Sequence, residues 1–275
     1  MIQTVARAIV GGAVWASLLT GVQAATLTVG VTPLKAAAQL AEEWIPLLDE
    51  VGRRAGVELR FRTAPSIDEY GERLGRGEYD VAYMNPYHYQ IYSAHPGYRA
   101  LARERDQPLE GVLLVRKDGP VKALKDLHGA TVSFPTPLAF AASILTQAEM
   151  VNQGIRVQPR YVQSHDSVLK GVASGHFVAG GTILKVLLTA PADVAKDLKV
   201  LHKTEAYASH PFSAHPRVPA ELVQKLQKAL LSLHQDETGR RLLAVVAFKG
   251  FEPAQDSDYD TVRRLDLKTL IEAVH

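Results

Sequence analysis

Gly71-Glu72-Arg73-Leu74-Gly75-Arg76-Gly77-Glu78-Tyr79-Asp80-Val81-Ala82-Tyr83-Met84-Asn85-Pro86 contains the transition on which the fold turns. A helical stretch runs out at Gly75 and Gly77, a strand follows from Tyr79 to Met84, and the strand empties into Asn85-Pro86-Tyr87-His88-Tyr89. A strand end that delivers polar and aromatic residues is where open α/β sheets place their ligands. Upstream, Ser66 offers an N-cap with Glu69 three residues on as its capping-box partner. Val57 to Thr63 alternates as a strand does. Before it, Leu40, Trp44, Leu47, Leu48 and Val51 recur at spacings of three and four, which predicts a helix from Ala36 to Arg54, stopped by Gly56. Thr26 to Val31 is the first strand, ended by Pro33.

Downstream, the strand-helix alternation continues, the signature of an α/β fold with mainly parallel strands. Gly111 to Arg116 is a strand, and Lys117-Asp118-Gly119-Pro120 marks a boundary before a second set begins. That set comprises strand Ala130 to Phe134, a helix from about Pro137 to Gly154, strand Val157 to Gln163, helix Ser167 to Ser174, strand His176 to Gly180 and strand Leu198 to His202. After Ala208 come Pro211, Pro216 and Pro219, then helical segments to the end. We expect two lobes joined by two crossing segments. The first would hold residues 25–112 and 208–275 and the second 113–207, with the C-terminal helices packed on the first.

Met1 to Arg7 carries one basic residue, and Ala8 to Val22 carries no charge, the pattern of an export signal. Val22-Gln23-Ala24 supplies small residues for cleavage, so residues 1–24 are expected to be removed and the mature chain to reach the periplasm. No Cys is present, which excludes disulfides, thiolate metal sites and Cys nucleophiles. The net charge of +2 shows neither a basic stripe nor an acidic tail, so nucleic acid is not an expected partner.

Together with Val29-Gly30-Val31-Thr32-Pro33, Trp44-Ile45-Pro46-Leu47-Leu48 and Ser164-His165-Asp166-Ser167-Val168, the opening stretch resembles the periplasmic phosphonate/phosphite/phosphate-binding family. The resemblance runs from Leu27 to about Leu233. It implies a two-lobed type II periplasmic-binding-protein fold, with a mixed, mainly parallel sheet in each lobe and flanking helices, and a cleft between them. It also implies a small, anionic ligand and a membrane partner, either the permease of an ABC importer or a sensor kinase. In that family the oxyanion sits at a helix N-terminus in the second lobe.

The corresponding turn here is Ser133-Phe134-Pro135-Thr136-Pro137-Leu138-Ala139-Phe140-Ala141-Ala142-Ser143, which past the strand residues Ser133 and Phe134 offers hydroxyls only at Thr136 and Ser143. Pro137 suits a first helical turn, because the N–H it lacks has no partner there, which makes Thr136 the N-cap and a ligand donor. Leu138 and Phe140 favour a ligand with an apolar part. From the opposite lobe, Thr32, Asn85, Tyr87 and His88 are candidates, with Tyr87 as the ligand-facing aromatic. The resemblance sets His165 against the ligand, while Asp166 or Ser164 caps its helix. Thr182, after Gly180-Gly181, closes another strand at the same edge.

His165-Asp166-Ser167 is not a hydrolase triad, since adjacent residues on one turn diverge. His88 and His95, or His210 and His215, lack zinc spacing, so neither metal nor cofactor is expected. An enzyme on the same fold would need an activated nucleophile or metal. The expectation is a binding protein for a small oxyanion, phosphate- or phosphonate-like, or a small organic solute.

Overall fold

A computed structural model of the chain describes residues 25–267 and 271–272; the expected export signal lies outside them. The chain begins with β1 (Thr26–Val31), α1 (Ala37–Ala55), β2 (Glu58–Arg62), α2 (Ile67–Gly75), β3 (Val81–Tyr83), α3 (Pro86–Ala94) and β4 (Arg99–Glu104). It then crosses into β5 (Gly111–Arg116), β6 (Thr131–Phe134), α4 (Thr146–Asn152), β7 (Gln158–Tyr161), α5 (His165–Ala173), β8 (Ala179–Ile183), α6 (Leu184–Leu188), α7 (Ala192–Ala195) and β9 (Leu198–Lys203). It returns through β10 (Pro211–Ala214), α8 (Ala220–Ser232), α9 (Glu237–Val245), β11 (Phe251–Pro253) and α10 (Asp260–Arg263).

These strands form two sheets, β11-β4-β10-β3-β1-β2 and β7-β6-β8-β5-β9. Parallel pairing is confined to the βα units, β2-β1-β3 and β7-β6-β8. Strands next to the crossings, β4, β5, β9 and β10, pair antiparallel. The crossings lie side by side: Leu109 and Tyr207 exchange backbone hydrogen bonds of 2.9 and 3.0 Å. The expected boundary after Val112 therefore falls inside β5, whose Gly111 and Val112 pair with β8 and β9. Alternation along a strand carries no mark of which sheet the strand joins.

Why these residues form these elements is plain in the first unit. The predicted stripe of α1 is buried, with Leu47 and Leu48 almost wholly enclosed, each worth about 1.5–3 kcal/mol relative to exposure. Gly56 ends α1 in the left-handed region at φ 71°, its N–H returned to the Gly52 carbonyl. Ser66 caps α2 by accepting the Glu69 N–H at 3.1 Å. Glu69 itself does not complete the capping box; its carboxylate turns to Arg73 and Arg76.

One apolar cluster packs α1 and α8 on the first sheet, and another fills the second around Leu113, Val132, Phe134 and Met150. A third belongs to both lobes, joining Ile67 to Leu109, Phe140, Ile144 and Ile183. Val262 and Leu267 join this shared cluster, so the C-terminal segment reaches the interlobe region besides packing on the first lobe.

Candidate ligand-binding cleft

Between the sheets lies a small void of about 20 Å³, lined from the first lobe by Thr32, Leu34, Ile67, Asn85 and His210. Leu109, Ala139, Phe140, Ala141, Ala142, His165 and Ile183 line it from the other side. The walls are apolar, and no Lys, Arg, Asp or Glu is among these residues.

The helix start differs from the sequence expectation. Pro135 to Ala139 stay extended or turned, and the helix opens at Ala139–Phe140 as a π-helical turn, Phe140–Leu145, that runs into α4. The Ala139 carbonyl accepts N–H bonds from both Ser143 (2.7 Å) and Ile144 (3.3 Å), the wider of which closes the π turn. Pro137 falls before the helix because Thr136 accepts the Ala139 N–H and the Ser143 hydroxyl, a local knot that holds the segment out of helical register. Thr136 is thus no side-chain cap; its hydroxyl is buried without a partner. Ser143 is fully buried and pins the turn instead of facing the void.

The first-turn N–H groups of Phe140, Ala141 and Ala142 meet no carbonyl among the described residues. Such a terminus carries unpaired donors and about half a positive charge. Its approach to the sheet depends on two glycines. A Cβ on Gly111 would stand 2.1 Å from the Ala141 oxygen, and one on Gly181 would stand 2.3 Å from that of Ala142.

Opposite, the side-chain Oδ1 of Asn85 caps α3 by accepting the His88 N–H at 2.7 Å, which leaves the Nδ2 amide as its free donor. Thr32, just past β1, has a buried hydroxyl with no partner. His165 opens α5, which Ser164 caps. Its Nδ1 shares a 2.8 Å hydrogen bond with the Thr182 hydroxyl, so Thr182 orients the ring and Nε2 is the nitrogen left for the cleft. Burial holds the His165 pKa down to about 4.

Of the predicted residues, then, Thr32, Asn85 and His165 line the void. Thr182, Thr136 and Ser143 stand behind it as described. His88 turns away into lobe one, among Tyr70, Tyr87 and Tyr92 and against Gly71, with both ring nitrogens unpartnered and its pKa held near 3 by burial. Tyr87 is half-buried and packs on the shared apolar cluster.

His210 was not foreseen as a cleft residue. Only 4% exposed, it lines the void and stacks on Tyr83, with ring centroids 5.2 Å apart. Its place just before Pro211, at the start of a strand returning to the first sheet, was the available signal. Behind it, the Tyr83 hydroxyl donates to Glu104, and Glu104 pairs at 2.7 Å with Lys185 of the second lobe, whose ammonium lies 3.6 Å from the Phe248 ring centroid. This ion pair ties the lobes together. Burial lowers the Lys185 pKa, against the opposing pull of Glu104.

Two α/β lobes, paired crossing strands and a cleft that collects unpaired donors define a two-lobed solute-binding protein. The model of the family described as ABC transporter, phosphonate, periplasmic substrate-binding protein matches residues 29–259. The chain belongs to that family. The phosphate-import protein PhnD of Mycolicibacterium smegmatis is 22% identical, over 87% of this chain and 84% of its own. PhnD1 from Prochlorococcus marinus, solved with methylphosphonate, superposes with a TM-score of 0.81 at 16% identity, over 90% of this chain and 98% of that one. A binding-protein component of an ABC phosphonate transporter from Pseudomonas aeruginosa gives 0.79 at 15% identity, over 91% and 87%. At such identities the structural likeness establishes the type II fold. The family is one of transport components.

Proposed function

We propose that the cleft captures a small phosphonate or phosphate-like oxyanion and that the closed protein delivers it to the permease of an ABC importer. Convergence carries this reading: Phe140 to Ala142 with their first-turn amides, His165 with Nε2 left unbonded, Thr32 and Asn85 all belong to the lining of one void that no acidic side chain lines. Helix-start amides and preset hydrogen bonds hold an anion without a formal counter-charge. Leu34, Ile67, Leu109 and Ile183 leave an apolar wall for the ligand's substituent, which favours a compact organophosphonate over a bare, fully hydrated ion.

The lobes would move about the paired crossings at Leu109 and Tyr207, with the ligand stabilising the closed form through contacts made to both sides. Export would remove residues 1–24, and N-terminal sequencing of protein secreted to the periplasm would read Ala25 first. Methylphosphonate, other alkylphosphonates, phosphate and phosphite are to be tested by thermal shift. A ligand at about 100 times its Kd stabilises by about 2.7 kcal/mol, a readily measured rise in Tm. His165→Ala should reduce that rise, and a panel in which no oxyanion shifts Tm contradicts the reading.

A further inference from the structure

The void is lined by two imidazoles and no other titratable side chain. They differ in their bonds. His165 is committed through Nδ1 to Thr182. Among the described residues, His210 has no hydrogen-bond partner, only the face of Tyr83 beneath it. A buried, unpartnered base beside a site without lysine or arginine leaves a doubly charged ligand uncompensated beyond what the helix-start amides supply.

We propose that His210 takes up a proton from solvent when a dianionic oxyanion enters, so that the cleft binds dianion and proton together. This deepens the oxyanion reading above and rests on it. The proton adds to a ring nitrogen of neutral His210, giving imidazolium against the ligand, and no bond to the ligand's heavy atoms changes. Tyr83 offers its π face to the cation.

The charged and titratable groups around His210 leave that role open. Lys185, from α6, disfavours the cation but is paired with Glu104 of β4, which also holds the Tyr83 hydroxyl. His165 of α5 and His88 of α3 also face it, but burial keeps both neutral, so neither opposes the cation with a charge. Burial is the main cause that holds His210 neutral, its pKa near 3, and Lys185 adds to it. The incoming dianion is the one element that reverses the balance.

Calorimetric titration of the mature protein with methylphosphonate, at about pH 8 where the free ligand is largely a dianion, in buffers of different ionisation enthalpy tests this. The slope of observed enthalpy against buffer enthalpy counts protons. The expected slope corresponds to uptake approaching about one proton per ligand, falling toward none in His210→Gln and in wild-type protein titrated with the monoanion methanesulfonate. Wild-type binding with a slope of zero overturns the proposal while leaving the oxyanion site intact. Uptake undiminished in His210→Gln, or abolished only in His165→Gln, overturns the assignment to His210. Absence of binding heat with methylphosphonate and phosphate alike overturns the oxyanion reading and this proposal together.

Discussion

Thr32 shows what a single side chain does in this cleft. Its hydroxyl is buried without a partner, a state that costs about 1–3 kcal/mol unless a ligand satisfies it. Thr32→Val should therefore leave the empty protein as stable or more so, and weaken oxyanion binding by about 5–10-fold; paired melting and calorimetry check both signs, and a variant that loses stability with affinity unchanged contradicts the role. The histidines set the response to pH. His88, His165 and His210 are held near 3, 4 and 3, against 6.5 for an ordinary imidazole. All three are depressed on folding, so the unfolded chain binds more protons between those values. Their contribution is complete above 6.5 and is lost as pH falls toward 3. Melting temperature of the ligand-free protein should fall through that window, and His88→Leu, outside the void, should flatten the fall; an unchanged profile in that variant contradicts the assignment. For His210 the magnitudes favour proton uptake from solvent once the dianion is beside it. Two charges at about 4 Å and an effective dielectric of about 20 contribute roughly 8 kcal/mol, or about six pKa units. His165 and Asn85 were legible as strand-end polar groups. His210 was not, because nothing local in Ser209-His210-Pro211 shows which sheet edge the segment meets.

At the scale of elements, the helix start is where sequence and structure part. Thr136-Pro137 has the local chemistry of a helix N-terminus, yet the helix opens at Phe140. Contacts distant in sequence decide the outcome: the Ala141 and Ala142 carbonyls fit over Gly111 of β5 and Gly181 of β8, and the extra residue of the π turn accommodates that seat. Propensity over a few residues does not see a glycine far along the chain. Gly181→Ala should push the turn off the sheet, since its Cβ would also stand 2.5 Å from the Phe134 ring. Overpacking of this kind costs about 1–3 kcal/mol, and the displaced amides should reduce ligand affinity by more than about tenfold. Urea unfolding and calorimetry measure the two effects; native affinity in a folded Gly181→Ala protein contradicts the seating. Elements with a clear period were legible: α1, β1 and β3 declare theirs through Leu40, Trp44, Leu47 and Val51 or through continuous apolar runs. β4, β10 and β11 were not foreseen; β10 and β11 have four and three residues, too few to show a period, and β11 stands where helical segments were expected.

The whole molecule is governed by how its lobes meet. Two lobes followed from the repeated βα pattern and from the resemblance, whereas the crossing points needed the pairing of Leu109 with Tyr207 to be seen. The Glu104–Lys185 pair was also hidden, being a contact between residues 81 positions apart on different lobes. Lys185→Met leaves Glu104 buried with only Tyr83, and losing one partner of a buried pair costs about 3–5 kcal/mol, which opening the lobes to water relieves. Small-angle scattering of that variant should show a larger radius of gyration than wild type without ligand; identical curves contradict a role for the pair in closure.

On the proposed function, the helix-start amides hold the oxyanion. Backbone amide resonances followed by NMR during titration with methylphosphonate test it most directly. Large, saturable downfield shifts are expected at Phe140, Ala141 and Ala142, with smaller changes at Thr32 and His165. Saturable binding that leaves those three amides unmoved contradicts it.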